Sequence, residues 1–210
     1  MSTRRLHLAV VAAACVLPRL AVLLVRRDDI TASFTEKSDD FAQTFLASGT
    51  YGFIPGQPSA YTQPLYGFFL VPLYELFGRS WASIGLSQVA LALATAWLVY
   101  EIGSRWISPQ VGLLAALLAT LNPYLVWHDV HVNREIVDQL LAAALALLTL
   151  LLVRRRSFAL AAAVGPVGGL AILGNTRLAA LPLVLVGFVL VAWRRHLGGR
   201  RRDRWSCGCG

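Results

Sequence analysis

Long apolar runs constrain this chain more than any other feature of its sequence. They include residues 112–121, 140–153 and 178–193, and they contribute to a hydrophobic content of 57%, with only 14% charged residues. A soluble domain contains roughly 45–50% apolar and about 25% charged residues. Several such runs in succession are typical of helices that cross the roughly 30 Å hydrocarbon core of a bilayer. The sequence therefore predicts an all-α, polytopic membrane protein.

The apolar runs predict about six transmembrane helices. Their expected bounds are 8–25, 81–103, 110–127, 135–153, 158–174 and 178–194. A further apolar segment, 65–77, is shorter and contains Pro72 and Glu75. Because a broken helix needs protein or water around its freed backbone groups, we expect this segment to be interfacial or re-entrant.

The first apolar run could be mistaken for a cleaved signal peptide. It is long enough to span, however, and it contains Arg19. It is followed by Arg26 and Arg27 rather than by a small-residue cleavage site. We therefore expect an uncleaved first helix.

The distribution of arginines predicts how the protein lies in the membrane. Short cytoplasmic loops are enriched in Lys and Arg. Arg105, the triplet 154–156 and a basic tail at 195–210 all fall on one side of the predicted topology. We expect that side, with both termini, to be cytoplasmic. Residues 1–194 then form a multi-pass module of the cell (inner or plasma) membrane, and the long loop 26–80 lies outside.

The net charge of +8 has two readings, a nucleic-acid surface or a membrane surface. Most of the charge lies in short loops and in the tail, and no basic face interleaved with aromatic residues is present, so we expect membrane lipids and no nucleic acid as partners. Glu101 precedes Arg105 by four residues, a spacing that predicts an ion pair at a helix end.

The first outer loop carries the most unusual polar sequence. Residues 38–47 suit a short helix with Ser38 as its N-cap, which places Asp39 and Asp40 in the first turn. These carboxylates could simply complement the helix dipole. Alternatively, one of them could be held at the membrane surface as a general base or a metal ligand.

A second polar cluster follows the third predicted span. It contains four side chains that are compatible with a divalent ion, although their spacing is not a standard ligand motif: His128, Asp129, His131 and Glu135. An ordinary solvated loop is the alternative. Arg134 in the same segment could neutralise a phosphate, because its planar guanidinium matches phosphate oxygens. Asp138 lies one turn into the next span, where an ionisable residue is a functional candidate.

The third polar feature is Asn175-Thr176-Arg177, between the last two predicted spans. Arg177 has no acidic neighbour in sequence. It could be an arginine that snorkels to the interface, or it could recognise an anionic lipid headgroup.

Together these segments resemble the GT-C fold glycosyltransferases that use polyprenyl-phosphate sugars, especially bacterial relatives of protein mannosyltransferases and aminoarabinose lipid A transferases. Four motifs carry the resemblance over about residues 8–194, in order: Asp39-Asp40 through Gly49 and Tyr51-Gly52; Gln63-Pro64-Leu65-Tyr66; Asn122-Pro123 with Arg134-Glu135; and Gly168-Gly169-Leu170 through Asn175-Thr176-Arg177.

The resemblance implies a sugar donor linked to a polyprenyl phosphate and presented at the outer face, with transfer by inversion. Asp39 or Asp40 would act as the general base on the acceptor hydroxyl. Because the family's acidic pair usually lies further ahead of the glycine turn, Glu36 is a third candidate.

The resemblance also implies binding roles. The expected substrate and lipid-phosphate contacts are Arg134, Arg177, Asn175, Tyr61 and Gln63. Some relatives hold the phosphate with a divalent metal. Here His128, Asp129, His131 and Glu135 could bind such a metal, or could orient the base and the arginines.

Relatives usually continue with further spans, so we expect this chain to be a module of such an enzyme, or to need a partner chain that supplies further helices. Two other functions remain open at this stage. One is a catalytically inactive membrane scaffold or partner subunit. The other is a lipid flippase or transporter, which would place ionisable groups deep inside spans.

Overall fold

The computed structural model describes residues 2–33 and 35–206, with side chains described up to residue 194. Within these ranges the regular structure is helical, apart from one β-bridge between Ile54 and Gln57. The helices are α1 (Thr3–Val25), α2 (Lys37–Ser48), α3 (Pro64–Phe77), α4 (Trp81–Trp106), α5 (Pro109–Thr120), α6 (Pro123–His128), α7 (Glu135–Arg155), α8 (Phe158–Gly174) and α9 (Ala180–Ser206), with a 3₁₀ turn at Thr176–Ala179 before α9. The all-α, multi-pass membrane fold is confirmed.

Four segments within the described residues are long and apolar enough to cross a membrane: Thr3–Val25, Trp81–Trp106, Glu135–Arg155 and Thr176–Arg194. The helices α3, α5 and α8 are apolar but shorter. At 1.5 Å per residue, the 14 residues of α3 extend only about 21 Å. This agrees with the expectation that 65–77 is not a full span.

The predicted continuous span 110–127 is wrong, because the helix breaks at Asn122-Pro123. The helix α5 ends at Thr120, and Asn122 has an extended backbone with ψ of 118°. Proline disfavours helical geometry in the residue before it and lacks an N–H, but it is well suited to the first position of a new helix. The side chain of Asn122 caps α6 by accepting from the backbone N–H of Tyr124 at 3.0 Å.

The predicted N-cap of the first-loop helix is also wrong. The helix α2 begins at Lys37, and Glu36 occupies the N-cap position. Ser38 is instead buried inside the helix, where its hydroxyl lies 3.3 Å from that of Thr62. The helix ends at Gly49, whose φ of 71° is a left-handed conformation that glycine adopts without strain.

The long helices pack antiparallel, so that the polar segments collect at one end. Leu23 at the end of α1 contacts Gly85 at the start of α4, while Arg4 pairs with Glu101 at the opposite end. The helices α4 and α5 approach closely at a pair of glycines: a Cβ on Gly103 would lie 2.6 Å from the Cα of Gly112. Small residues allow such backbone contact between membrane helices.

We call the two ends the loop end and the arginine end. The loop end comprises residues 26–80, 121–134 and 175–179, and the arginine end comprises 103–109 and 154–157. At the arginine end, the predicted pair Glu101–Arg105 is confirmed at 2.6 Å. The side chains of the predicted basic tail 195–210 lie outside the described residues, as do residues 207–210 altogether.

Candidate active site at the loop end

Asp39, one of the expected bases, is locked inside the fold. It is 1% exposed. Its carboxylate accepts hydrogen bonds from the Tyr74 hydroxyl at 2.6 Å and from Arg79 Nη2 at 2.7 Å, and Arg79 Nε lies 3.1 Å from Oδ1. These bonds hold α2 against the junction of α3 and α4. Asp40, the next residue, is exposed.

Glu36 faces the second polar cluster. Its Oε1 lies 3.3 Å from Nε of Arg134, and its Oε2 accepts from the backbone N–H of Arg134 at 3.1 Å. The two side chains are 23% and 26% exposed. Burial raises the pKa of Glu36 above its usual range, and the charge and backbone N–H of Arg134 oppose this rise without cancelling it. A carboxylate with a raised pKa is a stronger base than an ordinary one, and this one still reaches solvent, as a general base must.

Arg134 connects the first loop to the start of α7. Besides Glu36, it donates from Nη1 to Oε1 of Gln63, at the N-cap of α3. Tyr51 lies beside Gln63, with its hydroxyl 3.4 Å from the Gln63 carbonyl oxygen. Burial, together with the charge of Glu36, raises the pKa of Tyr51 to about 12, so its hydroxyl stays protonated near neutral pH.

Asp138 and Asn175 bring the third polar segment to the same place. The Asn175 amide donates to Oδ2 of Asp138 at 2.7 Å, and its own oxygen accepts from the backbone N–H of Arg177 at 3.1 Å. The other Asp138 oxygen, Oδ1, is buried and has no hydrogen-bond partner among the described residues. Arg177 is exposed, one residue beyond Thr176. The contacts of Arg134 and Asn175 thus link all three polar segments singled out in the sequence at one end of the bundle.

An open cavity adjoins this cluster. It has a volume of about 560 Å³ and lies between residues 59–64 of the first loop and the end of α8. Gln63 and Tyr51 line it on the side of the cluster, and Tyr61, which is 71% exposed, lines its mouth. Its other wall is apolar, formed by Gly169, Ile172 and Leu173, with Thr176 at the end. The cavity therefore has one polar and one apolar wall.

Asp129, a predicted metal ligand, forms a buried ion pair instead. Its Oδ2 lies 2.6 Å from Nη2 and 3.0 Å from Nε of Arg19, and each side chain is only 2% exposed. Nη1 of Arg19 donates to the carbonyl oxygens of Cys15 and Thr120 and to the Thr120 hydroxyl at 3.0–3.1 Å. The guanidinium is thus satisfied inside the bundle, where it joins α1, α5 and the segment after α6.

A hydrogen-bond network extends from this pair toward Arg134. The amide of Gln88 donates to the carbonyl oxygens of Asp129 at 3.1 Å and His131 at 2.7 Å. Its Oε1 accepts from the Tyr66 hydroxyl at 2.6 Å, and that hydroxyl accepts from the backbone N–H of Asn133 at 3.1 Å. The loop that carries Arg134 is therefore fixed from α3 and α4.

The histidines of the second cluster have aromatic and backbone partners. His131 stacks on Trp127 with ring centroids 4.0 Å apart, and its Nδ1 lies 2.7 Å from the Trp127 carbonyl oxygen. Burial lowers the pKa of His131, so the ring is neutral near pH 7. His128 packs on Tyr124. The described residues contain no group of three or more His, Cys, Asp or Glu side chains that could hold a metal ion. The geometry therefore lends no support to the expected metal site at His128, Asp129, His131 and Glu135.

Comparison with known proteins identifies the family. Residues 57–201 match the family described as dolichyl-phosphate-mannose-protein mannosyltransferase, and they make up more than half of the 210-residue chain. The chain belongs to this family. It is a membrane glycosyltransferase family of the GT-C kind, as the sequence motifs suggested. No curated protein and no solved structure matches the chain.

The family match begins after the acidic part of the first loop. It includes Tyr61, Gln63, Arg134, Asn175 and Arg177, but it does not include Glu36, Asp39 or Asp40. The choice among those three carboxylates therefore depends on their surroundings in the fold.

Sequence reasoning missed several residues that position the site: Arg19, Tyr66, Tyr74, Arg79 and Gln88. A signal was present for Arg19, because a charge inside an apolar span requires a buried partner. Gln88 also carried a signal, because a polar side chain inside a predicted span hydrogen-bonds to a neighbouring helix. Tyr66 and Tyr74 carried none, since tyrosine is common at membrane interfaces, and nothing in the sequence singles out Arg79.

Proposed function

We propose that the protein transfers a sugar from a polyprenyl-phosphate donor to an acceptor hydroxyl at the loop end, which faces the outer side of the cell membrane. The observation that carries this proposal is the position of Arg134, which lies between Glu36 and Gln63 beside a cavity with one polar and one apolar wall. The family description and the arginine-rich opposite end, which suits the cytoplasmic side, support the donor class and the orientation.

The donor has two chemically different parts, and the cavity offers a wall for each. The apolar face at Ile172 and Leu173, which are 39% and 47% exposed, suits the prenyl chain. Arg134 and the exposed Arg177 suit the phosphate, because a guanidinium can donate two parallel hydrogen bonds to phosphate oxygens. Tyr61 and Gln63 then lie where the sugar would be, and Asn175 holds the turn that carries Arg177.

We assign the general base to Glu36. In the reaction, its carboxylate removes the proton of the acceptor hydroxyl as that oxygen attacks the anomeric carbon. The bond from the anomeric carbon to the phosphate oxygen breaks, and polyprenyl phosphate leaves with the electron pair. When the donor phosphate engages Arg134, Glu36 loses the partner that lowers its pKa, so it becomes a stronger base. Asp39 is already bound to Tyr74 and Arg79, and Asp40 has no arginine partner among the described residues.

Glu36→Gln tests this assignment. The full chain is purified, and transfer is assayed from a radiolabelled polyprenyl-phosphate sugar, with the mannosyl donor first because the family description names it. Removal of a general base lowers the rate by about 10²–10⁴-fold. Because Glu36 is only half-buried, we expect the variant to keep its fold, measured as its thermal midpoint in detergent.

Asp40→Asn is the matched control, since it neutralises an exposed carboxylate four residues away on the same helix. We expect it to retain transfer. Full activity of Glu36→Gln would refute the assignment. Loss of activity in Asp40→Asn with activity retained in Glu36→Gln would transfer the role to Asp40. If no variant and no wild-type preparation transfers sugar, while the protein still binds the donor, the inactive-scaffold hypothesis is favoured.

A further inference from the structure

A second large pocket lies at the arginine end, on the opposite side of the bundle from the candidate active site. It has a volume of about 720 Å³ and lies where α4, α7 and α9 meet. Its polar rim consists of Arg105 and the arginines 154–156. The proposed sugar transfer makes no use of this pocket.

The charge of this rim is only partly compensated. Arg105 is paired with Glu101, which also pairs with Arg4. By contrast, Arg154, Arg155 and Arg156 are exposed and form no ion pair with a described carboxylate. Arg156 is positioned by an aromatic contact, with its guanidinium carbon 5.9 Å from the centre of the Trp193 ring. Three uncompensated guanidinium groups thus follow one another at the end of α7.

The interior of the pocket is apolar. Leu150 of α7, one turn before Arg154, and Val153, directly before it, form one wall. Phe188 of α9, which is 47% exposed, forms another. Trp106 at the end of α4 completes it. An apolar slot between membrane helices with a cationic rim matches a molecule that has a hydrocarbon part and an anionic head. A basic pocket between transmembrane helices on the cytoplasmic side is a recognised type of site for anionic phospholipid headgroups.

We propose that this pocket binds an anionic phospholipid, with its phosphate at the arginines 154–156 and an acyl chain against Leu150 and Phe188. A zwitterionic lipid is a poor fit, because its amine would meet the uncompensated guanidinium charge. A free phosphate lacks the part that would occupy the apolar walls. The bound lipid would hold α9 against α7, since the pocket lies between these two helices.

The test uses the purified full chain in a neutral detergent, titrated with dioctanoyl-phosphatidylglycerol and followed by native mass spectrometry. The main variant is Arg155→Gln/Arg156→Gln. Each basic residue near an anionic lipid contributes enough that removing two lowers affinity by about 30-fold. Arg155→Lys/Arg156→Lys keeps the charge and should bind within a few-fold of the wild type. Dioctanoyl-phosphatidylcholine should bind weakly to every variant.

Two further variants keep the test decisive. Arg26→Gln/Arg27→Gln removes a matched pair of exposed arginines at the loop end and should leave phosphatidylglycerol binding unchanged. Leu150→Trp fills the apolar slot and should weaken binding while every arginine is retained, which covers the case in which the double glutamine variant fails to fold. Equal binding by Arg155→Gln/Arg156→Gln and the wild type would overturn the proposal. So would competition by inorganic phosphate at the concentration of the lipid, since that would indicate a site for small anions. The lipid-binding test measures no sugar transfer, so its outcome does not depend on the outcome of the Glu36 test.

Discussion

Two arginine–carboxylate pairs at the loop end differ in what surrounds them. Arg19–Asp129 is 2% exposed on both sides, and every guanidinium nitrogen has an acceptor. Arg134–Glu36 is 26% and 23% exposed, and Gln63, which accepts from Arg134, lines a cavity. Arg19 and Asp129 cannot change partners without leaving an unpaired charge in an apolar environment. The second pair is partly exposed to solvent, so on the proposed function Arg134 can exchange Glu36 for a ligand phosphate. The Arg19–Asp129 pair therefore holds the loop end in place, whereas we propose that Arg134–Glu36 takes part in the reaction.

The largest expected effect comes from breaking the buried pair. Asp129→Asn leaves the Arg19 charge uncompensated, and removal of one partner of a buried ion pair destabilises by about 3–5 kcal/mol. We expect a clear fall in the thermal midpoint in detergent, and loss of transfer because the loop that carries Arg134 loses its anchor. Asp28→Asn is the control: Asp28 is 93% exposed and 3.8 Å from Arg27, so no measurable change in midpoint is expected.

A double variant sharpens this result. In Arg19→Leu/Asp129→Leu both charges are absent, and replacing a buried ion pair by apolar residues is often neutral or stabilising. We expect the midpoint to recover most of the loss seen in Asp129→Asn. If Asp129→Asn is as stable as the wild type, the pair does not anchor the loop end.

Breaking the partly exposed pair Arg134–Glu36 should affect ligand binding more than stability. Arg134→Gln removes the proposed charge-assisted contact with the donor phosphate. We therefore expect the KM for the polyprenyl-phosphate donor to rise by at least about 10-fold, equivalent to roughly 1.4 kcal/mol. Arg134→Lys keeps the charge but loses the forked geometry, so its KM should be intermediate. An unchanged KM in Arg134→Gln would remove this residue from the donor site.

The pH dependence of transfer distinguishes the role of Glu36 from that of Arg134. On the proposed mechanism, transfer requires the deprotonated form of Glu36. Burial raises the pKa of Glu36, so the acidic limb of the kcat/KM profile should lie above the ordinary carboxyl pKa. Arg134 lowers this pKa. In Arg134→Gln the limb should therefore move to still higher pH, whereas in Asp40→Asn it should not move. A limb that stays in place in Arg134→Gln would show that another group is the base.

For Gln88, which links the two pairs, the expected loss of stability is smaller than that for the buried ion pair. Gln88→Met removes the hydrogen bonds to the carbonyl oxygens of Asp129 and His131 and to Tyr66. Leaving buried partners unsatisfied costs about 1–3 kcal/mol, which the thermal midpoint in detergent would measure. A matched change outside the network is Gln110→Met, an exposed residue near the start of α5. An equal effect of both changes would show that the network has no special role.

Hydropathy predicted much of the fold because each membrane helix satisfies its own backbone hydrogen bonds and must be apolar where it meets lipid. The local exceptions came from competition between patterns. The run 110–127 is apolar throughout its first part, yet Asn122-Pro123 divides it, because a backbone preference over two residues outweighs hydropathy averaged over a window. Similarly, Glu36 rather than Ser38 occupies the N-cap position of α2.

The sequence by itself determined that this is a helical membrane protein with its polar segments at one end and its arginines at the other. Its motifs also suggested the glycosyltransferase family to which the chain belongs. Only the tertiary structure decided which carboxylates are buried in ion pairs and which are exposed to solvent. Asp39 and Asp40 are adjacent acids in sequence, but the rotation of about 100° between consecutive helix residues buries one against Arg79 and exposes the other. Glu36 and Arg134 lie far apart along the chain and meet only because the antiparallel helices return to the same end. A carboxylate's reactivity depends on its burial and on the charges around it, and folding sets both.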